Sequence, residues 1–285
     1  MSFDIGAAAA FLHRTEEREA VAHPEPVGLL RATLDHDERR IATGEPLPLL
    51  WHWLYFPPRI RQGALGDDGH TRDSSLLPDV PFLPRRMWAG SRLRSDVPLR
   101  IGDRITRRSE VIGLTPKLGS SGRLLFVTIR HLLEGDTGGN IVEEQDIVLR
   151  EPTGGPGSPP KPAEARVADF ERTLDPTPPL LFRFSALTFN AHRIHYDHPY
   201  ATQVEGYAGL VVHGPLLAML LLDLVDRRWP GAPVGRFTFK AVNPAFVPNR
   251  LAVRAKSEGA DLDLWVESAG FVASTGRATI DASAR

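Results

Sequence analysis

Apolar positions run almost unbroken through YAGLVVHGPLLAMLLLDLV, residues 207–225. Pro215 suits a first helical turn, where its missing N–H has no intrahelical partner to lose. RRWPG, residues 227–231, places basic residues, Pro and Gly in the order expected of a helix end. The pattern predicts one long helix over 215–228. His213, Gly214, Pro215 and Asp223 interrupt the run too often for a membrane span, and its length suits a buried core helix. Downstream, GRFTFKAVNPAF (235–246), RLAVRAKSEG (250–259), DLDLWVESAG (261–270) and FVASTGRATI (271–280) alternate in part, with turn residues between them, and read as strands. Upstream, LLFRFS (180–185) reads as a short strand ahead of a polar loop.

The first half repeats the order less clearly. PVGLLRATLDHDERRIA (26–42) has a helical period and leads to the aromatic stretch LPLLWHWLYFPP (47–58). Strand candidates follow over 85–99, 103–119, 122–135 and 138–151, with GSSG (119–122) and GDTGG (135–139) as hairpin turns. Between them, residues 59–84 form a long polar segment rich in Pro and Gly. A loop that long is uncommon in a compact domain. It fits either a cover over a substrate groove or a surface excursion.

EPTGGPGSPPKPAEA, residues 151–165, has almost no apolar residue and reads as a linker. It separates a domain over 1–150 from one over 166–285. In each, a helical segment precedes a run of strands, so the expected class is α+β: an antiparallel sheet wrapped around one central helix, twice in the chain.

Composition narrows the function. A formal net charge of −1 argues against a chain that lives on nucleic acid or an anionic membrane, both of which need a basic field. The absence of cysteine removes disulfides, thiolate catalysis and cysteine zinc sites. No basic residue precedes the apolar patch of the first residues, so a cytoplasmic enzyme is expected rather than a secreted one.

The chemistry gathers in TFNAHRIHYDHPYA, residues 188–201, where His192, His195 and His198 are spaced by threes. A metal site would need further ligands, and the nearby carboxylates are Asp197 and Glu205, without an HExxH pattern. Ser185 and Thr188 lie close in sequence, but no nucleophile elbow surrounds them. General acid/base work fits best, because histidine titrates nearest neutrality. His195, between Ile194 and Tyr196, is the strongest candidate, and Asn190 can orient a water or a ligand. His192 stands equally between a site role and a structural one. A second feature is the start of the long helix, where N–H groups lack intrahelical partners and carry partial positive charge. Gly214 and Leu216 are its candidate oxyanion donors, with His213 as the residue that opens the helix.

These residues resemble the MaoC-type hotdog hydratases and dehydratases. Members of that group show Ser-Gly-Asp-x-Asn-Pro-x-His in the loop and a His-Gly pair opening the central helix. Aligned on the histidine, His195 takes the place of the catalytic histidine, Asn190 that of the usual Asp, His192 that of the usual Asn and Arg193 that of the Pro. The variant TFNAHRIHYD with VVHGPLLA is similar to the branch that holds mesaconyl-C4-CoA and itaconyl-CoA hydratases and mitochondrial type-2 hydroxyacyl-thioester dehydratases.

The resemblance implies a double hotdog, a coenzyme A thioester as substrate, no metal and no separate cofactor. It also allows a homodimer. Water would add to a short, branched or dicarboxylic enoyl-CoA. His195 would be the base, Asn190 would hold the water, and His192 or Asp197 would supply the titrating group that Asn190 cannot. Arg193 would meet a carboxylate on the acyl group, with Tyr196 beside the substrate. A fatty-acid dehydratase acting on an acyl-carrier or CoA thioester, and a thioester-binding module without turnover, are the alternatives.

Overall fold

A computed structural model of the chain describes residues 3–71, 74–119, 122–152, 162 and 166–280. Ten strands form one sheet: β1 (Thr15–Val21), β2 (Arg85–Arg94), β3 (Arg104–Gly119), β4 (Gly122–Gly135), β5 (Asn140–Arg150), β6 (Phe170–Leu174), β7 (Val234–Ala241), β8 (Leu251–Glu258), β9 (Asp261–Ser268) and β10 (Phe271–Ile280). Their order is β1-β3-β4-β5-β2-β7-β10-β9-β8-β6. Each adjacent pair is antiparallel, so the first five strands form one half and the last five the other. The halves join where β2 pairs with β7, with Arg92 opposite Thr238.

The long helix α3 (Gly214–Arg228) lies where the apolar run placed it. Leu216 through Val225 are all buried, and the helix packs on β8, β9 and β10. Asp223 is the one charge in that stretch. It accepts bonds from Arg172 at 2.5 Å and Arg227 at 2.9 Å and pairs with His36, which ties the first half of the chain to the second. Among the described residues, no helix is long and apolar enough to cross a membrane.

Two local expectations change. Residues 180–185 are not a strand but the middle of helix α2 (Pro178–Thr188). Thr177 caps it by accepting from the Leu180 N–H at 3.3 Å, Pro178 opens it, and the buried Leu181, Phe184 and Ser185 recur at helical spacing. The first-half helix is α1 (Pro24–Thr33), shorter than the expected 26–42 because the chain turns at Asp35, with φ +57°. α1 packs on α2, while Leu76, Val80 and Leu83 cover β3, β4 and β5 at Val111, Leu125, Val127, Ile129 and Leu149. The long segment 59–84 therefore closes part of the first half. Of the expected linker, only Glu151, Pro152 and Pro162 lie among the described residues, and the GSSG turn is described only at its two glycines.

One buried polar cluster stands in the first half. Glu143 of β5 accepts from His52 Nε2 at 2.9 Å, Trp53 Nε1 at 3.0 Å, Ser91 Oγ at 3.2 Å and Gln145 Nε2 at 2.9 Å. Burial disfavours its charge, but these donors outweigh burial and bring its pKa down to about 2.

Candidate active site

α2 ends at Phe189, which adopts a left-handed conformation and turns the chain into the histidine loop. Asn190 closes the turn: its N–H donates to the Ser185 carbonyl at 2.9 Å, and its Oδ1 accepts from the His192 N–H at 2.9 Å. The short turn Arg193–His195 then carries His195 inward.

His195 is 7% exposed, and its Nδ1–H donates to the Val211 carbonyl at 2.7 Å. That bond fixes the tautomer and leaves Nε2 as a lone-pair base. The strap carrying Val211 is itself anchored: the Val211 N–H donates to Ile194 O at 3.0 Å and the Val212 N–H to Ala245 O at 2.8 Å. His195 stacks on His213, with centroids 3.6 Å apart, and stands edge-on to His192 at 5.5 Å. Burial, with the neighbouring His192, pushes the pKa of His195 down to about 3, so the ring is neutral at pH 7.

His213 is 0% exposed and shares a 2.8 Å hydrogen bond between its Nε2 and Ser185 Oγ. Burial and then His195 hold it well below its usual pKa. It opens α3 without a side-chain cap, so Gly214 and Leu216 keep unpaired N–H groups in the first turn. Space beside Gly214 is open: a Cβ built there meets nothing within 4 Å. The stack of His195 on His213 thus sets the base next to the first turn of α3.

Three further expected residues are tied into the loop itself. Arg193 binds Asp197 through Nε at 3.0 Å and Nη2 at 2.7 Å, donates to Asp67 O at 2.9 Å and lies over the Tyr200 ring. Asp197 is held by Arg193 and by the Tyr200 N–H at 3.1 Å. Tyr196 is 50% exposed and donates its hydroxyl to Ala191 O at 3.1 Å. In this arrangement Arg193, Asp197 and Tyr196 brace the loop through bonds to one another and to the backbone.

The first half contributes what the loop lacks. Residues 66–70 make a tight turn that docks on the histidine loop, with the Arg193 N–H donating to Asp68 O at 2.9 Å. Gly69, at φ +88°, is pressed so closely on Ala191 that a Cβ would stand 1.8 Å from its carbonyl oxygen. His70 thereby reaches His192, with ring centroids 4.1 Å apart. Asp68 accepts from His70 Nδ1 at 3.2 Å and from the His70 N–H at 2.9 Å. Burial opposes the Asp68 charge, yet the two bonds from His70 bring its pKa down to about 2. Burial and the charge of His70 push His192 down to about 3. Asp68, His70 and His192 each offer one possible ligand atom within 4.8 Å of the others. In this arrangement an Asp68 oxygen and a His70 nitrogen already bond to each other. The sequence signal for these residues, GDDGH inside a long polar loop, has no proximity to residues 188–201 until the chain folds.

The sheet order and the placement of α3 define a double hotdog. A MaoC-like dehydratase from Phytophthora capsici has the same architecture, with a TM-score of 0.70 at 16% identity over 98% of this chain and 99% of that one. A protein of Mycobacterium tuberculosis with a double hotdog fold gives a TM-score of 0.57 at 13% identity, covering 95% and 96%. Sequence takes the assignment further. Residues 50–247 match the family described as hydroxyacyl-thioester dehydratase type 2. Over 258 residues, 89% of this chain and 91% of the relative, the chain is 46% identical to mesaconyl-C(4)-CoA hydratase of Chloroflexus aurantiacus. The chain belongs to the hydroxyacyl-thioester dehydratase type 2 family and is a hydro-lyase.

Proposed function

We propose that the chain adds water reversibly to a short α,β-unsaturated acyl-CoA that is branched or dicarboxylic, of the mesaconyl-C4-CoA or itaconyl-CoA type. The observation that carries this reading is the fixed tautomer of His195 beside the uncapped start of α3. The thioester carbonyl takes the open space at Gly214 and accepts from the N–H groups of Gly214 and Leu216. His195 Nε2 removes a proton from water as the water oxygen bonds to the β-carbon. The electron pair of the double bond moves to the α-carbon and is delocalised onto the carbonyl oxygen as an enolate. The proton taken up by His195 then passes to the α-carbon, which restores the neutral base and completes the hydrated thioester. The reverse sequence is dehydration, the reaction named in the family description.

Asn190 uses its Oδ1 in the turn and keeps its amide Nδ2 for the water. Because Asn190 cannot titrate, His70, held by its hydrogen bond to Asp68, is assigned as the second acid/base group. The mechanism requires no metal.

Loss of the conjugated enoyl absorbance on mesaconyl-C4-CoA, itaconyl-CoA and crotonyl-CoA tests the reading. Turnover is expected with the wild-type protein and is expected to vanish in His195→Ala with an unchanged circular dichroism spectrum. Tight thioester binding without turnover of any of the three would replace this reading with a binding module. Turnover confined to acyl-carrier thioesters would replace it with a fatty-acid dehydratase.

A further inference from the structure

Arg86, at the start of β2, makes one hydrogen bond among the described residues, a 3.4 Å contact from Nη2 to the Thr71 carbonyl. A guanidinium has five N–H donors, so four remain without a partner. Burial lowers its pKa, and the charges of Asp68 and Asp79 offset this only in part, without a direct ion pair to either. Arg85, next in sequence, is instead paired with Glu205 at 3.1 Å. A half-buried guanidinium with open donors has the capacity to bind an anion.

The position of Arg86 says which anion. Thr71 follows His70 directly, so the guanidinium that reaches the Thr71 carbonyl lies next to the turn that carries Asp68 and His70. The Thr71 contact therefore puts the guanidinium one residue beyond His70, on the side of the histidine cluster that the first half supplies. For a thioester bound at Gly214 with its β-carbon at His195, the assignment requires the acyl carboxylate to point toward that side. Arg193, the cation that the loop itself offers, is already taken by Asp197.

We propose that Arg86 is the receptor for a carboxylate carried by the acyl group, and that it makes the enzyme selective for dicarboxylic monothioesters over plain enoyl thioesters. This rests on the hydratase reading above. A planar guanidinium holds a carboxylate through two parallel bonds, which a single ammonium cannot reproduce.

Two measurements test it. The first compares kcat/KM on mesaconyl-C4-CoA and crotonyl-CoA. Arg86→Gln is expected to lower the value for mesaconyl-C4-CoA by roughly 100-fold and to change that for crotonyl-CoA less than about threefold, with Arg86→Lys between wild type and Arg86→Gln. The second needs no turnover: calorimetric binding of succinyl-CoA and butyryl-CoA, saturated thioesters of equal chain length. Wild type is expected to prefer succinyl-CoA, and Arg86→Gln to lose the preference. Equal losses on both enoyl substrates, or no preference for succinyl-CoA in the wild type, would overturn the assignment. If no enoyl substrate is turned over but the succinyl preference is present and depends on Arg86, the hydratase reading fails and the carboxylate receptor stands.

Discussion

His195 and His213 lie almost face to face, with ring centroids 3.6 Å apart and planes 20° from parallel. The two rings are anchored from opposite sides, His195 by the Val211 carbonyl and His213 by Ser185. The stack holds the base in one orientation at the mouth of α3. Orientation of a catalytic group to within a fraction of an ångström is worth orders of magnitude in rate.

His213→Ala removes the floor of the stack and leaves a cavity. The expected outcome is a fall in kcat of about 10-fold or more with a smaller change in KM, and a stability loss of about 2–3 kcal/mol. Steady-state kinetics beside a urea melt would show both. An unchanged kcat would remove His213 from any role in placing His195.

Gly69→Ala probes the docking of the first-half turn. The Cβ has no room against Ala191, and φ +88° disfavours any L side chain, so the turn must lift off the loop. Activity is expected to fall at least about 10-fold while the protein loses about 1–3 kcal/mol of stability and stays folded. Full activity in this variant would mean that the contact between residues 66–70 and the loop is dispensable.

The Asp68–His70 assignment predicts matching losses. His70→Gln and Asp68→Asn are each expected to lower kcat by about 100-fold with little change in KM, the usual scale for one acid/base group. A chelator is expected to leave wild-type activity intact. Loss to the chelator with recovery on adding zinc would show that Asp68, His70 and His192 bind metal instead.

Stability is expected to fall as pH drops below neutrality. Burial holds His131 at about 4, against the opposing charge of Glu143, and burial with neighbouring histidines holds His192 and His195 at about 3, against 6.5 for a free histidine. A histidine depressed in the fold takes up its proton in the unfolded chain first, so stability is lost as pH falls from about 6.5 toward the folded value. Each such group contributes a slope of up to about 1.4 kcal/mol per pH unit in that window. Glu143, lowered from 4.5 to about 2, adds to the loss only below about pH 4.5. Thermal melts at constant ionic strength between pH 8 and 5 would reveal the trend, and a melting temperature that rises on acidification would contradict it.

Where a feature of this protein depends on neighbours in sequence, it is legible in the chain. The buried run of α3, its Pro start and its basic end are local signals, as are the alternating strands β7 to β10 and the hairpin glycines of β4 and β5. The histidine spacing and the His213–Gly214 pair are local too, which is why His195 and the helix start could be read as a unit. β1 and β6 escaped notice for a physical reason. They are the two edge strands of the sheet, and edges carry charged residues such as Glu16, Glu17 and Arg172 rather than a clean apolar alternation. α2 was misread because six apolar-rich residues satisfy either period, and its cap at Thr177 and the partners of Leu181 and Phe184 settle the choice. The partners of loop side chains follow from the fold, so the bonding of Arg193 to Asp197 and Asp67 and of Tyr196 to Ala191 has no signature in their order. Asp68 and His70 stand more than 100 residues from His195 along the chain, and only the docking of the first-half turn on the histidine loop, through Gly69 and Ala191, brings them against His192.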